Sequence, residues 1–238
     1  MNIETQMREL RLYGMERNWK AMNELRNNTE LTLSEGLSIL LQAESDDRDE
    51  KRFERLKLNA GFRYQASIEE INMSANRGLN KNLITSLATC EYIKKGDSIL
   101  IVGATGCGKS FLSSALGHQA CSMGYKVLYF NINKLLLKAK MARLDGTLHK
   151  LMDRISKTDL LIIDDFGLVN LDQQNRLDLM EIIEDRHGKS FTIIASQLPV
   201  ASWYDVIGEN TIADAILDRL VHGSYRIELK GESLRKKK

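Results

Sequence analysis

Apolar side chains recur every three or four positions through the first part of the chain: Ile3, Met7 and Leu10, then Met15, Trp19, Met22 and Leu25. A helix advances about 100° per residue, so this spacing draws one apolar stripe and predicts helix up to the polar break Asn27-Asn28-Thr29. Thr32-Leu33-Ser34-Glu35 fits a capping box, in which a hydroxyl and a carboxylate each satisfy a free N–H at a helix start. The following helix opens apolar at Leu37, Leu40 and Leu41 and becomes densely charged from Glu44 to Lys57. There Glu44–Arg48 and Asp47–Lys51 have the i,i+4 acid-then-base spacing of a solvated face. Asn59-Ala60-Gly61 is its stop signal. Residues 1–67 therefore read as a small all-helical N-terminal domain.

From residue 68 the period changes. Short, β-branched apolar runs at Ser98–Val102, Lys126–Ile132, Asp159–Asp164 and Phe191–Ala195, with a weaker one at Tyr225–Leu229, alternate with helical stretches such as Leu177–Arg186 and Ile212–Leu220. Strands that are apolar on both faces and separated by helices predict an α/β domain over residues 68–238, a parallel sheet wrapped by helices. A single proline, Pro199, leaves long stretches without a helix breaker.

Composition narrows the class. The chain has 238 residues, 43% hydrophobic and 28% charged, enough apolar surface for a core. Its 34 Lys and Arg against 32 Asp and Glu leave a net charge of +2, which excludes a histone-like tail protein and argues against a purely basic clamp. Cys90, Cys107 and Cys121 form no CxxC or Cys/His cluster, so neither a disulfide framework nor a thiolate metal site is expected, and a reducing cytoplasm is the natural setting. The opening MNIETQMREL is too polar for a signal peptide, and no apolar run approaches the ~20 residues of a membrane helix.

Two segments carry chemistry. The strand Ser98–Val102 runs into Gly103-Ala104-Thr105-Gly106-Cys107-Gly108-Lys109-Ser110, followed by a helix that opens at Phe111. This is G-x-x-x-x-G-K-[ST] in its strand–loop–helix setting, a cradle for a triphosphate. Glycines let the backbone N–H groups turn inward, aided by the positive end of the helix; Lys109 reaches the β/γ-phosphates and the Ser110 hydroxyl ligates Mg²⁺. Cys107 is expected to fill space. The second segment, Asp159-Leu160-Leu161-Ile162-Ile163-Asp164-Asp165, is an apolar strand ending in paired carboxylates. Asp164 is expected to hold the magnesium shell and Asp165 to orient and deprotonate an attacking water, which points to hydrolysis rather than transfer to a metabolite.

With these motifs, TIIASQLP, ADAILDRL and GESLRKKK complete an ordered set that resembles the IstB-like transposition helper ATPases. These are AAA+ proteins akin to the DnaC-type helicase loaders, and the likeness runs along essentially the whole chain. The resemblance implies a P-loop AAA+ fold, ATP hydrolysis stimulated by DNA, binding to double-stranded DNA, homo-oligomerisation with ATP and action with a partner transposase. A DnaC-type helicase loader is the alternative. The family pattern places a polar sensor at Ser196 and Gln197, with Ser196 in the catalytic set, a second sensor at Arg235, and a trans-acting arginine finger at Arg219, with Arg186 as competitor. Many AAA+ proteins carry Asp-Glu where this chain has Asp164-Asp165.

The charge is unevenly spread. Between Lys126 and Lys157 eight basic residues face two acidic ones, a local +6. Lys134, Lys138, Lys140 and Arg143 are the candidate DNA contacts, suited to phosphates rather than bases. The N-terminal basic residues Arg8, Arg11, Arg17, Lys20 and Arg26 are balanced by five glutamates in the first thirty positions.

Overall fold

The N-terminal helices are α1 (Ile3–Glu9), α2 (Tyr13–Glu24) and α3 (Leu33–Ala60). The computed structural model describes residues 2–24, 31–74 and 77–234, so Leu25, Arg26, the Asn27–Thr29 break and the basic end from Arg235 lie outside the described residues. Packing divides the chain into two units, Met1–Arg55 and Leu56–Lys238.

In the first unit the single stripe expected from Ile3 onward is broken at Arg11, whose φ of 59° lies in the left-handed region and turns the chain between α1 and α2. The capping box forms: the Glu35 N–H donates to Thr32 Oγ1 at 3.3 Å, and Glu35 Oε2 accepts from the Thr32 N–H at 2.8 Å. The i,i+4 pairs form too, Arg48–Glu44 at 2.7 Å and Lys51–Asp47 at 2.6 Å, but not on a solvated face. Glu44 and Asp47 are buried, because α2 packs on this side of α3 and the Gly14 and Met15 amides donate to Glu44 Oε2. Arg17 pairs with Asp47, while Arg8 and Lys20 converge on buried Glu16. Glu16 is consequently held down at about 2 by the hydrogen bonds from Arg8 and Lys20. Most of the basic charge of these helices is therefore spent inside the unit.

The second unit holds a five-stranded sheet of order β2-β3-β4-β1-β5, with β1 (Ser98–Gly103), β2 (Val127–Asn131), β3 (Leu160–Phe166), β4 (Phe191–Ser196) and β5 (Tyr225–Leu229). Every pairing is parallel, with Leu100 opposite Ile194 and Ile163 opposite Ile194 on the other side. Helices cover both faces, which is why β1, β3 and β4 are continuous apolar runs and Ile99, Leu161, Ile162 and Ile193 are fully buried. The connecting helices are α4 (Lys81–Ala88), α5 (Lys109–Ser122), α6 (Ile132–Leu144), α7 (Leu148–Ser156), α8 (Gln173–Arg186), α9 (Trp203–Ile207) and α10 (Asn210–Val221). The second strand stops at Asn131 because that side chain accepts from the Asn133 N–H and caps α6, so Ile132 begins the helix.

Gly61 ends α3 with a φ of 71°. Residues 56–67 pack in the second unit, where the Phe62 ring lies tilted against His118 of α5, with ring centroids 4.3 Å apart, and edges toward Tyr129 of β2. Since β4 lies between β1 and β3, the C-terminal ends of all three strands open on one crevice.

Candidate active site

The loop after β1 is built on glycines. Gly106 (φ 81°) and Gly108 (φ 97°) sit where side chains are strained, and a Cβ at Gly106 would stand 2.1 Å from Ser233 Oγ. Inside the loop, buried Lys109 donates to the carbonyls of Gly103 at 2.7 Å and Ala104 at 2.9 Å. Thr105, Gly106, Gly108, Lys109, Ser110 and Phe111 line one pocket with Arg63, Tyr64, Asp165, Gln197 and Leu234. Cys107 is buried, as its space-filling role requires. Behind the loop, buried Arg77 donates to the Cys107 carbonyl and, at 3.2 Å, to that of Glu232; the Leu234 N–H donates to the Gly106 carbonyl at 2.9 Å. An apolar cleft next to the pocket, lined by Ile71, Leu79, Phe111, Leu112, Leu229 and Leu234, has the character a purine base would need.

At the end of β3 the pairing with β4 shifts between Ile163 and Phe166, a bulge at which two adjacent carboxylates, opposed in a regular strand, come within reach of one guanidinium, that of Arg63. Asp165 takes a left-handed φ of 60°, rare for a residue with a side chain, and points into the pocket. Asp164 is fully buried: its Oδ1 accepts from the Asp165 N–H at 2.9 Å and its Oδ2 from the Tyr129 hydroxyl, whose pKa burial and the Asp164 charge push up. Asn131 Nδ2 donates to Asp165 Oδ2 at 2.8 Å, while the same side chain caps α6 through its oxygen. One amide thus joins the carboxylate to the helix that carries Lys134 and Lys138. The Arg63 guanidinium lies 2.9 Å from Asp165 and 3.5 Å from Asp164. Ser110 and Asp165 line the pocket with hard oxygens of the kind Mg²⁺ takes, whereas buried Asp164, expected on the metal side, stands behind that lining and meets the pocket side through Arg63.

Ser196 and Gln197 divide. Fully buried Ser196 donates from Oγ to the Phe166 carbonyl at 2.7 Å and accepts from the Leu198 N–H at 3.0 Å, so it clasps β4 to β3 instead of facing the pocket. The next residue, Gln197, lies just past the end of β4, lines the pocket and accepts from Thr105 Oγ1 at 2.7 Å. Of the two expected sensor positions, Gln197 therefore lines the pocket and Ser196, expected in the catalytic set, does not.

The arginines also separate. Arg186 is buried, donating to the carbonyls of Ile155, Thr158 and Phe191 and to Thr192 Oγ1; burial lowers its pKa to about 10. It is a staple beneath the sheet and is not presented to another subunit. Arg219 pairs with Glu184, donates to the Ala215 carbonyl, and borders a small cleft with Asp97, Ser98 and Thr192, at the start of β1 and β4 and away from the phosphate loop. On α6, Lys134, Lys138 and Lys140 are exposed, with Lys138 over the Phe130 ring. Arg143 pairs with buried Asp178 of α8. At about 100° per residue Arg143 falls on the opposite flank from Lys134, which corrects its placement on the basic face; Lys140, though exposed, also lies off the flank shared by Lys134 and Lys138.

Arg63, Tyr129 and Asn131 carry no motif signal. The two from β2 could have been found only by asking which strand runs beside β3.

A phosphate loop after one strand, tandem carboxylates after a second and a polar side chain at the end of the strand between them, on this sheet order, define the P-loop AAA+ class. Within that class the chain belongs to the IstB-like ATP binding protein family, whose model matches residues 5–238. It is 45% identical to an insertion-sequence ATP-binding protein of Sinorhizobium fredii over 221 residues, which is 91% of this chain and 90% of that relative. Among solved structures it resembles AMPPCP-bound DnaA from Aquifex aeolicus, with a TM-score of 0.60 and 18% identity, covering 74% of this chain and 53% of that one. The DnaC helicase loader gives a TM-score of 0.56 at 17% identity, covering 69% of this chain and 97% of that one. These two likenesses concern the fold. No helix among the described residues is long and apolar enough to cross a membrane.

Proposed function

We propose that this chain is a DNA-stimulated ATPase that regulates transposition: with ATP it assembles as a homo-oligomer on double-stranded DNA and recruits or stimulates a partner transposase. The observation that carries the ATPase reading is the convergence of Lys109, Ser110, Gln197 and Asp165 on one pocket. Insertion-sequence relatives support the transposition context.

In this reading Lys109 exchanges the Gly103 and Ala104 carbonyls for the β/γ-phosphates, and the loop N–H groups of residues 104–110 cradle them. Ser110 and Asp164 would hold Mg²⁺, which when bound would supply neutralising charge for the phosphates. Asp165 orients the attacking water and accepts its proton, with Gln197 aligning water and γ-phosphate; the products are ADP and phosphate. Arg219 of a neighbouring subunit would leave Glu184 to stabilise the charge on the transferred phosphate, and Arg235 would act as second sensor. Lys134, Lys138 and Lys140 contact DNA phosphates, and residues 1–67 contact DNA or the partner. The Asn131 amide offers a physical route for DNA stimulation, because a pull on α6 acts directly on Asp165.

Lys109→Ala tests the core of this reading. Loss of both DNA-stimulated turnover and ATP-dependent assembly is expected; survival of both sinks it. The fold shared with the DnaC helicase loader favours a second reading, a loader acting on single-stranded DNA. Competition between duplex and single strand separates them, duplex preference supporting the transposition regulator.

A further inference from the structure

Two adjacent carboxylates, one of them fully buried, need a counter-charge. Arg63 supplies it: Nη1 is 2.9 Å from Asp165 Oδ2 and 3.5 Å from Asp164 Oδ2. Yet Arg63 is not built in as Arg186 is. Its side chain is 41% exposed, and it stands on a stretch, 62–67, without helix or strand. It rests against the Tyr64 ring, 5.6 Å from the centroid, and lines the phosphate pocket alongside Lys109 and Thr105. The remaining contacts of Asp164 come from the core, through the Tyr129 hydroxyl and the Asp165 N–H, so Arg63 holds the pocket side of the pair.

A guanidinium and a divalent cation seeking the same carboxylate oxygens repel each other and exclude each other sterically. We infer that Arg63 is a built-in competitor of the divalent cation: the guanidinium and the metal are alternative counter-ions of the Asp164–Asp165 pair. Once displaced, Arg63 finds its new partner in the polyphosphate a few ångströms away, in the pocket it already lines. Metal alone is therefore held weakly, and metal with a triphosphate is held well, because only the triphosphate repays the displaced cation. Arg63 is in this sense a positioning residue that makes the site select the metal–nucleotide pair over either component. The inference rests on Asp164 being the metal-side carboxylate.

The test uses Mn²⁺ as an EPR-visible probe on the full chain, first without nucleotide. Arg63→Gln and the second neutral variant Arg63→Met should bind Mn²⁺ about tenfold more tightly than wild type, the effect of one half-exposed charge removed from the pair. Arg63→Lys, which keeps the charge, should stay near wild type. With AMPPCP present the advantage of the neutral variants should shrink or reverse. Combining Arg63→Gln with Asp164→Asn should abolish the gain. Equal or weaker Mn²⁺ binding by both neutral variants, with an Asp164-dependent site intact, overturns the competition and leaves the metal assignment standing. Binding indifferent to Asp164→Asn in every background overturns both. Thermal melts identify any variant that has failed to fold, and the other neutral substitution then decides.

Discussion

Gly106 shows how tightly the phosphate loop is tied to the chain that follows β5. A Cβ there meets Ser233 as well as a left-handed backbone, so Gly106→Ala should weaken nucleotide binding about tenfold and lower the melting temperature by a few degrees. A fluorescent-nucleotide titration beside a thermal melt reads both. Ser196 and Gln197, adjacent in sequence, should separate in the opposite sense. Ser196→Ala removes a buried clasp worth about 1–2 kcal/mol and should lower stability with turnover nearly unchanged. Gln197→Ala should leave the melt in place and cut turnover by about 10²-fold, the usual scale for losing one transition-state donor. If Ser196→Ala abolishes turnover in a folded protein, the exchange of roles is wrong. Asp165, strained at φ 60° and held by Asn131, belongs with these residues, and the strain is stored where the water would be activated.

At the scale of elements, the network linking α1, α2 and α3 makes a pH prediction. Glu16 is held near 2, below its ordinary 4.5, so its stabilising effect is complete above about 4.5 and is lost as pH falls toward 2. Hydrogen-exchange protection of the α1 and α2 amides should drop across that window, and protection unchanged down to pH 2 would refute the network's role. Below the sheet, Arg186 satisfies four acceptors from α7, β4 and the turns beside them. Arg186→Ala strands those groups and should cost about 3 kcal/mol, seen in a denaturant melt. Helix α6 sorts its own charges, since Arg143 is spent on Asp178 while Lys134 and Lys138 remain exposed. Lys134→Ala and Lys138→Ala should each lower the slope of log K against log salt by about 1, with Arg143→Ala leaving it alone. Equal slopes for all three would remove α6 from the DNA contact.

For the whole molecule, the net charge of +2 hides a distribution, because acidic partners take up Arg8, Arg17 and Lys20 while α6 keeps its lysines exposed. Repeating that helix around an oligomer would build a basic surface that one copy lacks, so DNA affinity should rise with assembly. Arg219 is drawn into a pair with Glu184 within its own subunit, and a trans role would require that pair to open. Mixing Arg219→Ala with Lys109→Ala should then restore turnover that neither variant has alone, and no restoration would remove Arg219 from the neighbouring site.

Much of the fold was legible in the chain itself. Five apolar runs, the capping box and the stop at Gly61 follow from local periodicity and local hydrogen bonding, and so does the loop of Gly103–Ser110, since its residues act on one another across a few positions. Tertiary structure alone decided that β4 separates β1 from β3, that Glu44 and Asp47 are buried, and that Gln197 rather than Ser196 faces the pocket. It alone brought Arg63, Tyr129 and Asn131 onto Asp164 and Asp165, across separations that no periodic pattern spans. Local rules say which elements form. Which side chains meet at the ends of strands depends on sheet order and on a bulge, and both are set by packing distant segments together.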